Sequence, residues 1–254
     1  MHYLRRSYLL LILVLALALT LIAIALYPKH TPSKSLSSVK EHRKALIADG
    51  LYDLFPNDEL IKKLSSTLKS QGYDVTVVLN GDVNLNLFLN LTSYDLIILR
   101  LHGGYGYLGG KEVSGLFTGV KWTYKYFSLA KKGYVAKGVP FYARERAYVA
   151  LLPKFFRELL EGKFRVNATV IAAGCYTASS DELIEALFNH NLKYYVGWKG
   201  AVTVDHLDRV LYVLIGLISE GYSLEEAVKM VNKILGPDPK TGELLYVFAN
   251  KNIK

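Results

Sequence analysis

Two short, almost wholly apolar runs, Asp95 to Leu101 (DLIILRL) and Thr169 to Ala173 (TVIAA), constrain this chain more than any other feature. Each has the length of a strand and lacks the polar alternation of a strand with one wet face. Each therefore belongs in a sheet covered on both sides. A similar run lies at Ala45 to Ala48, closed by Asp49-Gly50, and Val75 to Leu79 and Tyr194 to Trp198 read as further strands. Helical spacing separates them. Asn57 caps a helix with Leu60, Ile61, Leu64 and Leu68 on one side and Gly72 at its end. Pro153 opens another, with Phe155, Phe156, Leu159 and Leu160 on its apolar side. Ser179 and Glu182 read as a capping box ahead of a third. Helices over 205–219 and 224–235 close the chain, the second opened by Ser223 with Glu226 and stopped by Gly236-Pro237. Strands alternating with helices predict an α/β domain of three layers around a mostly parallel sheet. Between His102 and Tyr148 the order breaks into a glycine-rich turn and short alternations such as Val120-Lys121-Trp122-Thr123-Tyr124, which predict a β-rich insertion.

The first residues differ in kind. Arg5 and Arg6 precede an uncharged run from Ser7 to Tyr27, long enough as a helix to cross a bilayer core of about 30 Å. It is longer than the apolar core of a secretory signal and ends Ala25-Leu26-Tyr27-Pro28 with no small-x-small cleavage site, so 1–27 reads as an uncleaved signal-anchor transmembrane helix. Residues 28–43, with Pro28, Pro32 and several Ser and Lys, read as a linker, and 44–254 as one domain. The basic residues after the run do not favour export of that side. The sequons Asn90-Leu91-Thr92 and Asn167-Ala168-Thr169 point the other way, because they are glycosylation acceptors only outside the cell. The expectation is a single-pass protein of the cell membrane with an extracellular domain.

Charge and cysteine content narrow the function. The net charge of +9 is concentrated: Lys111 to Arg146 carries +6 and Lys29 to Lys44 carries +4, leaving the rest nearly balanced. A basic insertion and a basic linker fit this better than a nucleic-acid fold, so no nucleic-acid partner is predicted. One cysteine excludes an intrachain disulfide and Cys-rich zinc sites, and the six histidines show no ligand spacing, so no metal is predicted. No phosphate-loop or dinucleotide fingerprint is present. The single Gln, single Cys and two Met are a shortage of thermolabile side chains of the kind found in thermophiles. Nothing in the sequence reports the oligomeric state.

In open parallel sheets, sites form beyond the carboxyl ends of strands. His102 and Cys175 both stand there, each directly after an apolar strand and each beside glycine, in Leu101-His102-Gly103-Gly104 and Ala173-Gly174-Cys175. If the strands are neighbours, imidazole and thiol face one cleft. A thiolate is a strong nucleophile and histidine moves protons near neutral pH. Flanking glycines admit a substrate backbone and free N–H groups for an oxyanion. The set suits acyl transfer. Either residue alone reads more readily as core filler.

An apolar strand ending in His-Gly, followed later by one ending in Gly-Cys, here LIILRLHG and TVIAAGC, resembles the clan CD cysteine peptidases: caspases, metacaspases, legumains, separases, clostripain and gingipains. Residues 44 to 236 can be laid on that fold, and Tyr195-Val196-Gly197-Trp198 looks nearest the gingipain-like branch. The resemblance implies a caspase-like fold and an endopeptidase acting on protein or peptide substrates without a cofactor. It implies His102 as the acid that protonates the leaving amine, Cys175 as the nucleophile that forms a thioester, and the N–H groups of Gly103 and Cys175 as the oxyanion hole. Asp49 takes the place of an acid that reads a basic side chain in some relatives, and Trp198 that of a pocket wall. Asp49 in an Asp-Gly step reads more readily as a turn residue, and Trp198 at least as readily as packing. Two features depart from the pattern. Ala173 stands where metacaspases carry Asp, and nothing matches the arginine pair with which caspases read aspartate. The rival expectation is an inactive caspase-like domain that binds a partner at the cell surface.

Overall fold

The computed structural model describes residues 42–253. The anchor reading for 1–27 and most of the linker lie outside them. Among the described residues no helix is long and apolar enough to cross a membrane.

Strand β1 (Arg43–Asp49) starts one residue inside the predicted linker. Helix α1 (Asp58–Ser70) is capped by the Asn57 side chain, which accepts from Leu60 N–H at 3.0 Å, and it buries Leu60, Leu64 and Leu68. After β2 (Tyr73–Leu79) a short helix, α2 (Leu85–Leu89), precedes the wholly buried β3 (Leu96–Arg100). The glycines after His102 form a strand where the sequence predicted a turn: β4 (Gly103–Leu108) pairs antiparallel with β5 (Lys111–Lys121). The turn is confined to Gly109 and Gly110, whose φ angles of 61° and 81° suit the two-residue hairpin that matches strand twist. Then come α3 (Phe127–Lys131), β6 (Val135–Gly138), β7 (Tyr148–Leu151), α4 (Pro153–Leu159) and β8 (Thr169–Ala173). Helix α5 (Asp181–Phe188) begins without the predicted capping box. Its N-cap is Ser180, and the Ser179 and Ser180 hydroxyls turn instead to Ser114 of β5. The chain closes with β9 (Tyr194–Trp198), α6 (Val204–Ser219), α7 (Leu224–Leu235) and an unpredicted strand, β10 (Leu245–Ala249). The Ser223–Glu226 capping box of α7 is formed.

Six strands make one sheet in the order β10-β9-β8-β3-β1-β2, parallel except for β10. The fold is α/β with a mostly parallel sheet. Alternate residues point to opposite faces, and each face has its own core. Ala45, Ile47, Ile98, Ile171 and Val196 meet the apolar sides of α1, α6 and α7. Leu46, Ala48, Ile97, Leu99, Val170 and Ala172 meet α4, α5 and the inner face of the insertion. This two-sided burial is why β1, β3, β8 and β9 are apolar runs, whereas the edge strand β2 buries no residue fully.

The insertion is a separate antiparallel sheet, β4-β5-β7-β6. One face, with Leu116, Val135, Val149 and Leu151, joins the main core, while Phe117, Tyr148 and Ala150 cluster on the other. The β5–β7 register slips between Phe117 and Lys121, where Gly119 passes against the Asn80 carbonyl. A Cβ on Gly119 would lie 1.7 Å from that oxygen, whereas one on Gly106 would meet nothing within 4 Å. Gly119→Ala is expected to cost about 1–3 kcal/mol by chemical denaturation, as overpacking does. Gly106→Ala should stay within about 0.5 kcal/mol.

Candidate active site

The ends of β3 and β8 are adjacent. Arg100 pairs with Ala173 in parallel register, and Leu101 N–H continues the ladder to the Ala173 carbonyl at 2.9 Å. Beyond this point the two chains cross in close contact. A Cβ on Gly103 would stand 2.2 Å from the Cys175 carbonyl, and one on Gly174 would stand 2.3 Å from the Leu101 carbonyl. These glycines are therefore required by the two protein backbones that they bring together, and any benefit to a substrate comes second. His102 and Cys175 line one cleft of about 1330 Å³ as a result.

The turn carrying Cys175 is held from below. Thr177, fully buried, donates its hydroxyl to the Ala172 carbonyl at 2.8 Å and accepts from Trp198 N–H at 3.2 Å, so it ties the ends of β8 and β9 together. The Tyr195 hydroxyl donates to the Thr177 carbonyl at 2.6 Å. Tyr176, immediately after the thiol, takes a left-handed φ of 56°, an uncommon conformation for a bulky residue and of a kind concentrated at functional sites. Cys175 Sγ donates to the Val202 carbonyl at 3.3 Å and accepts from Val202 N–H at 3.4 Å. Burial pushes the thiol above its ordinary pKa, and the Val202 bond only partly offsets this.

His102 is also withdrawn from water, at 8% exposure. Its ring packs between Phe117, Tyr142 and Tyr148, with centroids 6.2, 5.6 and 5.5 Å away, and the Tyr142 hydroxyl lies 3.1 Å from Nδ1. Burial first, then the nearby Arg100 charge, lowers its pKa to about 4. At neutral pH the resting pair is thus a thiol and a neutral imidazole, each with its own partner.

The Gly103 N–H is left unused by the hairpin. Phe117 N–H donates to the His102 carbonyl, so alternation along the hairpin makes Gly103 and Leu116 a non-hydrogen-bonded pair. The Gly103 N–H then faces away from β5, and β4 is an edge strand that lines the cleft. Cys175, the other predicted donor, lines it too.

Asp49 and Trp198 do not line this cleft. Asp49 is fully buried, and both its oxygens accept from Arg100 Nη1, at 3.0 and 2.8 Å. The same guanidinium donates through Nε and Nη2 to Asp208, at 2.7 and 2.9 Å, and Asn57 Nδ2 donates to Asp208 at 2.9 Å. Asp49 thus has no open face for a basic side chain, and Asp208 is the second ion-pair partner of Arg100. Trp198 is fully buried in the core below Cys175, its indole N–H without a protein acceptor. Asn90 and Asn167, the two sequon residues, are both exposed. Among the described residues no His, Cys, Asp and Glu group could hold a metal.

Sequence reasoning missed Tyr142, Thr177, Tyr176 and Val202, none of which belongs to a recognisable motif. The ion-pair triad left one signal: among the described residues Arg100 is the only cation inside a wholly buried strand, and such a charge requires carboxylate partners.

Comparison with known proteins finds no protein-family model that matches the chain and no significant match among curated proteins.

Arg100→Met would leave Asp49 and Asp208 facing each other without a counter-charge. It is expected to lower stability by about 3–5 kcal/mol by equilibrium denaturation. Alkylation of Cys175 by iodoacetamide is expected to be slow at pH 7 and to accelerate beyond pH 9, since the raised pKa keeps the thiol protonated there. A rate that levels off in the neutral range would show a stabilised thiolate instead.

Proposed function

We propose that this protein is a membrane-anchored cysteine endopeptidase of the caspase-like, clan CD type, with His102 and Cys175 as its catalytic dyad. The observation that carries this reading is their common cleft, built by adjacent parallel strand ends whose backbones cross at Gly103 and Gly174. The order of motifs in the sequence and the parallel sheet agree with it. The apolar run from Ser7 to Tyr27 would tether the domain to the cell membrane, and the exposed sequon residues suit an extracellular side.

The resting protonation state sets the order of steps. As Sγ attacks the scissile carbonyl, the thiol proton passes to neutral His102, and the carbonyl oxygen gains the negative charge that the Gly103 N–H faces. The imidazolium so formed gives the proton to the leaving amine as the C–N bond breaks, which leaves a thioester on Cys175. Water then attacks the thioester, passing one proton through His102 to restore the thiol and releasing the acid. Before the first step, the thiol must leave Val202 and the imidazole must leave the Tyr142 hydroxyl.

Those same contacts favour a second reading, a caspase-like binding module whose pocket is kept without turnover. In this reading the Val202 and Tyr142 bonds are permanent.

Hydrolysis of a fluorogenic peptide library by the purified full chain separates the two. The peptidase reading expects turnover that falls by about a thousandfold or more in both Cys175→Ala and His102→Ala, as loss of a nucleophile or its proton carrier does. Absence of turnover, together with failure of an electrophilic peptide to label Cys175, would leave the binding module.

A further inference from the structure

Beside His102, the outward face of the antiparallel sheet carries Phe117 and Tyr148 and is otherwise built largely of glycine and alanine. His102, Gly104 and Gly106 share this face of β4, opposite Phe117, Gly115 and Val113 of β5. Ala150 and Ala136 continue it in register across β7 and β6, and Gly138 follows. Strands ordinarily favour bulky branched or aromatic residues, and glycine in a strand costs about 0.5–1 kcal/mol. Some of these glycines have a packing reason: the Phe117 ring would lie 2.6 Å from a Cβ on Gly138 and 3.2 Å from one on Gly104.

Gly106 and Gly115 have none. Neither adopts a left-handed φ. A Cβ on Gly106 would meet nothing within 4 Å, and one on Gly115 would make only ordinary contacts, at 3.5 Å to the Leu151 carbonyl and 3.6 Å to Ala150. Both open onto the cleft that holds the dyad. What their missing side chains preserve is empty volume, walled by Val113, Phe117 and Leu152.

We infer that this floor is a specificity pocket for a large apolar side chain of the substrate, carried next to the scissile bond by a peptide with acidic flanks. The inference rests on the peptidase reading for the word substrate, but not for the pocket itself. Charge complementarity selects the flanks. Among the described residues, Lys137, Arg144 and Lys240 line the cleft against one carboxylate, Asp205. A basic side chain finds little here to pair with, and an apolar one finds an uncharged floor of glycine and alanine.

The test is a bump placed where the fold has room for it. Matched acidic peptides carrying Phe, Ala or Lys at the residues flanking the scissile bond are assayed with the full chain and with Gly115→Val. Thermal midpoints confirm that the variant is folded. Wild type is expected to favour Phe over Ala by about 10- to 200-fold in kcat/KM, the usual range for filling an apolar pocket. The Phe-to-Ala ratio should fall by about tenfold or more in Gly115→Val. A Lys preference in wild type, or a ratio unchanged in the folded variant, would overturn the pocket. If wild type proves to have no turnover, anisotropy binding of the same labelled peptides decides. Tighter binding of the Phe peptide that Gly115→Val abolishes supports the pocket and leaves only the peptidase reading lost. Equal binding of all three peptides overturns the pocket as well.

Discussion

A guanidinium buried at the end of the central strand has to be met by carboxylates, and in this protein that requirement organises the site. Arg100, at 2% exposure, draws Asp49 from the end of β1 and Asp208 from the first turns of α6 onto one group. Fixing Asp208 fixes the start of α6, whose preceding residues form the wall of the cleft. Thr203 at that start is clamped a second time, its N–H and hydroxyl both donating to Asp238 at 2.7 Å. Val202, one residue earlier, holds the thiol. The path from a charge in the sheet to the orientation of Cys175 is therefore short and made of hydrogen bonds. Removing the charge would loosen the wall as well as the fold.

Strands β1, β3, β8 and β9 were legible in the sequence because burial on both faces writes a continuous apolar run, and the exposed edge strand β2 was legible from its branched residues. All five parallel strands lie where the sequence predicted one. The edge strand β10 escaped because Tyr246 and Phe248 alternate with smaller apolar residues near the chain end, a pattern that short terminal segments share with loops. The glycines of β4 looked like a turn because glycine signals flexibility locally, whereas their role is set by what lies opposite them. The Ser179–Glu182 pair satisfied the capping pattern, yet Ser114 from a distant strand competed for the serines and won. Tertiary partners of this kind leave no mark on a local pattern.

At the site the legible part was the pair of strand ends, and the illegible part was their chemical state. His102 and Cys175 follow their strands as motifs, but the depressed imidazole and the raised thiol arise from burial by Tyr142, Phe117, Tyr148 and the Val202 segment. Exposed apolar residues surround the cover. Phe141, next to Tyr142, is 84% exposed and lines the same cleft. On the proposed peptidase reading, a peptide lying along the cleft exchanges these contacts for its own and releases the imidazole. Substrate binding and activation are then one event, because Tyr142 both bonds the imidazole and lines the cleft.

The left-handed Tyr176 and the paired Val202 bonds have a consequence outside catalysis. A thiol kept protonated, half-covered and tied to backbone is a poor target for peroxide, whose reaction needs thiolate. It is also the only cysteine in the chain, so no neighbouring thiol can capture it as a disulfide. The resting geometry thus shields the thiol from oxidation. On the proposed peptidase reading, the nucleophile waits in the reduced form while its bonds to Val202 hold, and it is open to oxidants only when they are released.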